Sequence, residues 1–596
     1  MYPALAVLQA EKSKDIEVLW VGSDDGLEAD LVKRAGIEFK GIPAAGLHGV
    51  SVLSLPGRVL KLGKGYFAAG KIIREFKPDV MFFTGGYVGF PVAVAGRKIP
   101  SVLFVPDIEP GMALNYLSKS ADVITVVCRD SVNYFEDPEK IKVTGYPTRE
   151  DIRQWDRAEA LKAFGGFVEP FRQVLNPLLV GLVGKRRDDD CAYTGLTLYW
   201  TVILGFFQHL RSRNQMDMTR NTRAYSKSVF ALSGQRYCDD DPDLHTACSQ
   251  TCRNFLAQVE TSALEQVLVQ LVRYLIRSKW FRDAMLWGCL CVAVDGTLCE
   301  RKRGSGLSDR EKRRYALEAR IITPWGWNIP LLTEAVEAYD SEKEKQDCEY
   351  RAFERLAARL KKLFPRQAFC IVGDALYCSH PIMDICRGNK WEFVLTFKEG
   401  AMPKVYKAVQ SAKLRVGGRD WVKAKDESGA EKTVGVVSWV DAMECAYDLG
   451  EGEDFRVVTY FGWEASEDGG RYDGAFATSF EVSDAKRALV VAAWGRRRWN
   501  IETGFRVEKH GGFGLEHTFC NDDTAGRNYH VLMQIAYTLW QVFDTGVLSR
   551  LSDGCRKPSQ EMWAKMLFVA ILVLGLASVP RVAVGAMRMR RYHIAA

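Results

Sequence analysis

Two apolar runs in the middle of the chain restrict its fold most. Residues 287–294 (WGCLCVAV) and 368–373 (AFCIVG) carry no charged side chain, and each runs straight into an aspartate, Asp295 and Asp374. Apolar runs of this length, bounded by turn signals, read as strands covered on both faces, as in a sheet sandwiched by helices. Asp295 is followed by Gly296-Thr297, which reads as a turn after the strand. Taken singly, Asp295 fits a turn-forming Asp-Gly and Asp374 fits a helix N-cap. A third acid changes that reading. Residues 496–509 (RRRWNIETGFRVEK) suit a helix, on which Arg498, Glu502, Phe505 and Lys509 share a face about 60° wide. Alone, that face is an i,i+4 Arg–Glu surface pair. Together with two aspartates at strand ends, Glu502 completes a set of oxygen ligands for hard divalent cations.

That set suits one chemistry. Cutting a phosphodiester needs an activated nucleophile, a stabilised leaving oxygen and relief of phosphate charge. Two Mg²⁺ or Mn²⁺ ions about 3.5–4 Å apart supply all three. The site then reads as Asp295, Asp374 and Glu502 holding metal, with Arg498 and Lys509 gripping phosphate. Trp499 has two readings, a base-stacking side chain and a buried core residue, of which the core role fits better.

The surrounding pattern is mixed. Residues 317–323 and 328–336 read as a hairpin around Pro324-Trp325-Gly326-Trp327, residues 351–364 as a helix, and residues 392–397 as another strand. Residues 419–423, 433–439, 455–461 and 475–481 look like strands joined by acidic and glycine-rich turns, and residues 523–539 like an apolar-periodic helix. Upstream, residues 167–183, 196–210 and 264–281 have helical periodicity. Arg211, Arg213, Arg220, Arg223, Arg277 and Lys279 lie among them, which suits DNA contact as well as solvated helix faces.

The first 165 residues differ. Short apolar runs at 16–21, 79–83, 101–105 and 123–127 alternate with helical patterns at 27–35, 66–75 and 112–119, which predicts βαβ units and a parallel sheet. Ligands of such sheets gather at the carboxyl ends of the strands. Thr84-Gly85-Gly86-Tyr87 and Pro106-Asp107 stand at such ends. The glycine pair fits both an anion cradle and a plain tight turn.

Two resemblances follow from these residues. YPALAVLQA, VGSDDGLEADLVKRAGIEF, IPAAGLHG, REFKPDVMFFTGGYVGFPVA, PDIEPGMALNYL and VTGYPTR together resemble the peptidoglycan N-acetylglucosaminyltransferases of the MurG type. The resemblance implies the acceptor-binding, membrane-touching half of a GT-B fold, with Thr84, Gly85, Gly86 and Tyr87 as a vestigial acceptor site. It stops near Gly165, and the half that binds sugar nucleotide does not follow. The family's glycine-rich loop before the Tyr-Pro is also missing, which implies a truncated or wrongly placed start. The later part resembles the DDE transposases of bacterial insertion sequences marked by a Tyr-x2-Arg-x3-Glu-x6-Lys signature. AVDGT supplies Asp295, GDALY supplies Asp374, and the signature supplies Arg498, Glu502 and Lys509; GFGLEHTF with His517, and Asn528, also fit. Where the signature has tyrosine, this chain has Gly495.

The fold class expected is therefore multidomain α/β. A Rossmann-like parallel α/β half-domain of the GT-B type (1–165) precedes a helical, DNA-binding lead-in (166–285). An RNase-H-like core follows (286–400 and 486–552), interrupted by a mostly β insertion (401–485) and ended by a tail packed on the core (553–596). The activity expected is metal-dependent nicking and strand transfer, by a homodimer assembled on DNA. The alternatives are sugar transfer from UDP-GlcNAc to a lipid-linked acceptor, and DNA binding without catalysis.

Charge agrees with this division. Residues 1–165 hold 21 Lys+Arg and 21 Asp+Glu, so the whole net charge of +7 belongs to the remainder. The 15 cysteines form no paired CxxC set, so a zinc site is not expected, and buried thiols in a reducing cytoplasm are. The opening residues lack the basic lead and cleavage site of a secretory signal. The apolar runs at 196–207 and 566–579 fall short of the roughly 20 residues of a spanning helix. A weak membrane-surface contact of the N-terminal part, or of the basic-flanked tail, is the remaining membrane option.

Overall fold

The computed structural model describes residues 2–10, 16–24, 29, 32–33, 35–44, 55–85, 88–106, 110–147, 157–182, 191–210, 212–241, 244–301, 313–336, 342–412, 418–425, 431–441, 455–465, 471–548 and 559–576. The chain forms two compact units. The first gathers Met1–Glu169, Asn214–Cys248 and Leu548–Val584; the second gathers Pro170–Arg213 and Ser249–Val547, together with the terminal Gly585–Ala596. Among the described residues, no helix is long and apolar enough to cross a membrane.

The N-terminal part alternates as its pattern implies: α1 (Tyr2–Ala10), β1 (Leu19–Ser23), β2 (Glu38–Ile42), α2 (Leu55–Phe76), β3 (Met81–Phe83), α3 (Gly89–Ala95), β4 (Ser101–Val105), α4 (Met112–Ser120), β5 (Val123–Val126) and β6 (Ile141–Val143). All strand pairs here are parallel. Their inward residues Phe83, Leu103, Val105, Ile124 and Val126 pack on Ala93, Leu114 and Leu117 of the helices. One sheet is expected, but two form, β1-β2 and β3-β4-β5-β6. The polar strand β2 takes one edge of β1, and no described strand joins the other edge to β3. A cavity of 810 Å³ is lined there by Leu8, Val18, Trp20, Val80, Phe82 and Thr84.

The middle of the chain is helical: α5 (Arg157–Val180), α6 (Gly195–Phe207), α7 (Arg213–Thr219), α8 (Arg223–Ser233), α9 (Ser249–Leu256) and α10 (Thr261–Arg277). Helix α5 begins ten residues before the periodicity expected from residue 167. Helix α10 buries Leu264, Val267, Leu268, Leu271, Val272 and Leu275, the stripe that its i, i+3, i+4 spacing dictates.

The second unit is built on one large mixed sheet. Its elements are β7 (Met285–Leu286), β8 (Cys289–Arg301), β9 (Arg313–Ile322), β10 (Asn328–Val336), α11 (Glu342–Leu363), β11 (Phe369–Gly373), α12 (His380–Gly388), β12 (Glu392–Thr396), α13 (Pro403–Ala412), β13 (Gly418–Lys425), β14 (Glu431–Asp441), β15 (Arg456–Ala465), β16 (Arg471–Thr478), α14 (Ala485–Arg497), α15 (Trp499–His510) and α16 (Asp523–Phe543). The strand order is β10-β9-β8-β11-β12-β16-β15-β14-β13, and β7 pairs with β8. Strands β8, β11 and β12 run parallel, whereas β9 and β10 fold back as the expected hairpin. The first five strands thus have the RNase-H-like order. The strands of residues 418–478 continue the same sheet, because β16 pairs with β12. Helix α17 (Gln560–Val573) packs on α8, and the Leu576 N–H donates to Ser228 Oγ at 2.8 Å.

Strand β8 departs from its sequence reading. It does not end at Asp295 but runs on to Arg301, paired with β9 throughout apart from one irregularity between Leu298 and Glu300. The Asp-Gly dipeptide signals a turn only where the chain has no neighbour to pair with, and here β9 supplies one.

Candidate active site

Parallel pairing brings the two aspartates together. Val372 of β11 lies in register with Ala293 of β8. Two residues further on, each chain presents its aspartate, across a spacing of about 4.8 Å between strand axes. Asp295 is anchored by its own neighbour, the Gly296 N–H donating to Oδ1 at 2.9 Å. Asp374 is not a helix N-cap. It closes a short turn, accepting from the Leu376 N–H at 2.9 Å, while the cap position of α12 belongs to Ser379.

The helix carrying Glu502 is broken. Helices α14 and α15 meet at Arg498, so residues 496–509 are not one straight helix. Arg498 lies between the acids: Nη1 is 2.6 Å from Glu502 Oε1 and 4.0 Å from Asp295 Oδ2. One cation thus faces two carboxylates, with Asp374 close enough to act on Asp295. Burial pushes the Asp295 carboxyl up; Arg498 pulls it down, the charges of Asp374 and Glu502 push it up again, and it settles at about 7. The three sequence-chosen acids therefore share one electrostatic field.

The flanking residues divide. Lys509 Nζ pairs with Glu516 at 3.0 Å. Trp499 is 58% exposed, which corrects the core role favoured for it; it borders the site, with the Arg498 guanidinium 5.2 Å from its ring centroid. Gly495 is a packing requirement. A Cβ there would overlap the buried ring of Phe476 from β16, so the slot of the signature tyrosine is filled from the neighbouring strand. Of the upstream arginines, Arg213 donates to Ser249 and Gln250, and Arg223 to the Asp241 carbonyl. Asn528 donates to the carbonyls of Leu256 and Val259, both at 2.8 Å, and so ties α16 to the end of α9. Arg211 lies outside the described residues.

Two residues escaped the sequence reading. Glu349 of α11 is buried against Gly296, where any Cβ would overlap its carboxylate. The Tyr377 hydroxyl donates to it at 3.4 Å and lies in the field of Glu349, Asp295 and Asp374. A signal was present. Glu349 falls on the stripe Glu349, Phe353, Leu356, Leu360, an acid on the apolar face of an amphipathic helix.

The donor set fits hard divalent cations: three carboxylates whose mutual repulsion one guanidinium leaves incompletely offset. Among the described residues, the set whose ligand atoms all lie within 4.8 Å of one another is a different one, Cys299, Glu318 and His530. There Glu318 already holds Arg320 and His530, and the fixed guanidinium opposes a second cation.

In the N-terminal part, Thr84 and Gly85 border the 810 Å³ cavity. Gly85 has φ +95°, a conformation that favours glycine. Gly86, Tyr87 and Asp107 lie outside the described residues.

Comparison with known proteins separates the chain in the same way. Residues 1–125 match the family model "Glycosyltransferase family 28 N-terminal domain", and residues 349–539 match "Transposase DDE domain". The UDP-N-acetylglucosamine--N-acetylmuramyl-(pentapeptide) pyrophosphoryl-undecaprenol N-acetylglucosamine transferase of Desulforamulus reducens is 41% identical over 169 residues, 28% of this chain and 45% of the relative. That of Halothermothrix orenii is 37% identical over 169 residues, 28% and 46%. The chain spans about half the length of these relatives. Among solved structures, Acinetobacter baumannii MurG aligns with TM-score 0.22 at 23% identity, over 29% of this chain and 51% of that one. A piggyBac transposase synaptic complex with hairpin DNA aligns with TM-score 0.32 at 11% identity, over 72% and 82%. The chain thus joins a segment that matches glycosyltransferase family 28 N-terminal domains, residues 1–125, to one that matches transposase DDE domains, residues 349–539.

Proposed function

We propose that the chain is a DNA transposase whose cutting and joining site is held by Asp295, Asp374 and Glu502. One observation carries this reading: Asp295 and Asp374 follow the parallel-paired segments of two strands in matched register, and Arg498 links Asp295 to Glu502 of α15. The match of residues 349–539 to transposase DDE domains supports it. Two Mg²⁺ or Mn²⁺ ions bound there would offset the carboxylate charge, activate water or a 3′-hydroxyl, and stabilise the leaving oxygen.

The chain's own residues supply the rest. Asp295 and Asp374 are fixed by strand pairing and local turns, so they hold their ligand oxygens with little freedom. Glu502 arrives from α15 and is paired with Arg498 until a cation competes for it. Arg498, so released, becomes a phosphate contact beside the cut. Lys509 is a second such contact once DNA draws it from Glu516. Trp499, exposed at the site, is placed to stack on a base. The protein works as a homodimer assembled on DNA in the cytoplasm. Residues 1–165 are read as a glycosyltransferase remnant that adds no sugar transfer, the chain spanning about half the length of the transferases it matches.

The test uses purified full-length protein, Mg²⁺, and DNA duplexes from the two flanks of the codons for residues 166–596. Nicking at an end by the wild type, lost in Asp374→Ala, is expected. Equal absence of nicking in both overturns the proposal. Salt-sensitive DNA binding that persists without cleavage would then favour a non-catalytic DNA-binding protein, and UDP-GlcNAc binding would favour the transferase.

A further inference from the structure

A second charged group lies beneath the site, and nothing in the proposed chemistry uses it. Arg320 of β9 is fully buried. Its Nε donates to Glu318 Oε2 at 2.8 Å, its Nη2 to Glu508 Oε2 at 2.6 Å, and its Nη1 to Asn328 Oδ1 at 3.1 Å. The Phe505 ring stacks on the guanidinium, with the centroid at 4.4 Å. His530 Nε2 lies 2.9 Å from Glu318 Oε1. Four elements meet on one side chain: β9, β10, α15 and α16.

Two of the contacts belong to the helix that carries Glu502. Phe505 and Glu508 line the buried stripe of α15, together with Ile501 and Gly504. Gly504 sets the depth, because a Cβ there would overlap the Asn328 side chain. Asn328 is itself held by Gln541, which accepts from its N–H at 2.8 Å. The strand side is registered to the site as well. Glu318 is the cross-strand partner of Asp295, and Arg320 that of Ala293. Opposite residues of an antiparallel pair present their side chains on one face. The Arg320–Glu508 bond therefore joins the Glu502 helix to the strand next to Asp295, from the same side of the sheet.

We propose that Arg320 and Glu508 are positioning residues that fix the rotation and depth of α15, and so hold Glu502 in reach of a cation bound by Asp295 and Asp374. This rests on the metal reading above. Glu508 lies six residues after Glu502, about 9 Å along the axis. An anchor at that distance stops the helix from rolling, which a ligand on its rim cannot do for itself. Residues that orient metal ligands typically contribute about 10–100-fold to metal affinity when mutated.

The test is Mn²⁺ binding by the full-length protein, followed by electron paramagnetic resonance. Wild type, Asp374→Asn, Glu508→Gln and Arg320→Lys are compared, with melting temperature, DNA affinity and the Mn²⁺ dependence of nicking recorded for each. Glu508→Gln keeps the volume and loses the charge. It is expected to weaken Mn²⁺ binding about tenfold or more, to leave DNA affinity unchanged, and to regain its nicking rate as Mn²⁺ is raised. A lower melting temperature with unchanged Mn²⁺ affinity in both network variants would make the group merely structural and overturn the proposal. If Arg320→Lys does not fold, Glu508→Gln carries the test. Wild-type Mn²⁺ binding that Asp374→Asn leaves untouched would instead overturn the metal reading itself.

Discussion

Asp295 and Glu318 face each other across one pair of strands, yet the molecule treats them in opposite ways. Glu318 has no exposure and two basic partners. Burial pushes its carboxyl up, but Arg320 and His530 outweigh burial and hold it well below the usual range. Asp295 shares Arg498 with Glu502, and burial with two neighbouring acids lifts it to about 7. On the proposed reading, the difference separates structural acids from acids kept for chemistry. A carboxylate whose charge is cancelled by fixed partners has nothing left to give a ligand. One left short of positive charge, with two further carboxylates beside it, is a place where a cation lowers the free energy.

Removing a partner should break this contrast most visibly on the Glu318 side. Arg320→Ala leaves Glu318 and Glu508 buried without their cation, and should cost about 3–5 kcal/mol. Denaturant unfolding would measure it, and a cost near zero would show that the network is not the closed one described. Next in size is Gly495→Tyr, which restores the signature residue but drives it into Phe476. Overpacking should cost about 1–3 kcal/mol. Adding Phe476→Ala should recover part of that loss in the same unfolding measurement.

The pH response tests the Asp295 side. Its folded carboxyl lies near 7 and its unfolded one near the ordinary 3.8. The stability of the metal-free protein tied to this group is therefore full below about pH 4 and lost as pH rises through about 7. Glu318 has the opposite sign: its contribution is present above its ordinary 4.5 and is lost as pH falls below that. Melting temperatures of Asp295→Asn and wild type should converge at low pH and separate near neutrality, with the variant higher. Parallel curves would contradict the shift. The smallest effect on stability belongs to Trp499→Ala. An exposed side chain should change unfolding by no more than about 0.5 kcal/mol, while single-strand DNA binding should weaken by about 1–3 kcal/mol if the ring stacks on a base.

Much of the candidate site was legible before the fold. The runs ending at Asp295 and Asp374 announced buried neighbouring strands, because continuous apolar residues must be covered on both faces. Glu502 was legible from its place in the signature, and the alternating pattern of the first 165 residues announced parallel βαβ units. The rest was hidden for physical reasons. In LEARIIT, Glu318 and Arg320 alternate with apolar residues as on a solvent-facing strand; only tertiary packing shows that α15 covers them. Gly495 looked like a lost tyrosine until Phe476, nineteen positions earlier, was seen to fill its slot. Asp295-Gly296 carries the signal of a turn, but β9 pairs straight through it. The split of the N-terminal sheet depends on which edges find partners, and local periodicity does not encode that.

On the proposed reading, Asp295, Asp374 and Glu502 together hold divalent metal. Anomalous diffraction from a crystal of the full-length protein soaked in Mn²⁺ tests it most directly. The expected result is manganese bound by these three carboxylates, with Arg498 displaced from Glu502. Manganese at Cys299, Glu318 and His530 instead, or no manganese near Asp295 with the Arg498–Glu502 pair intact, would contradict it.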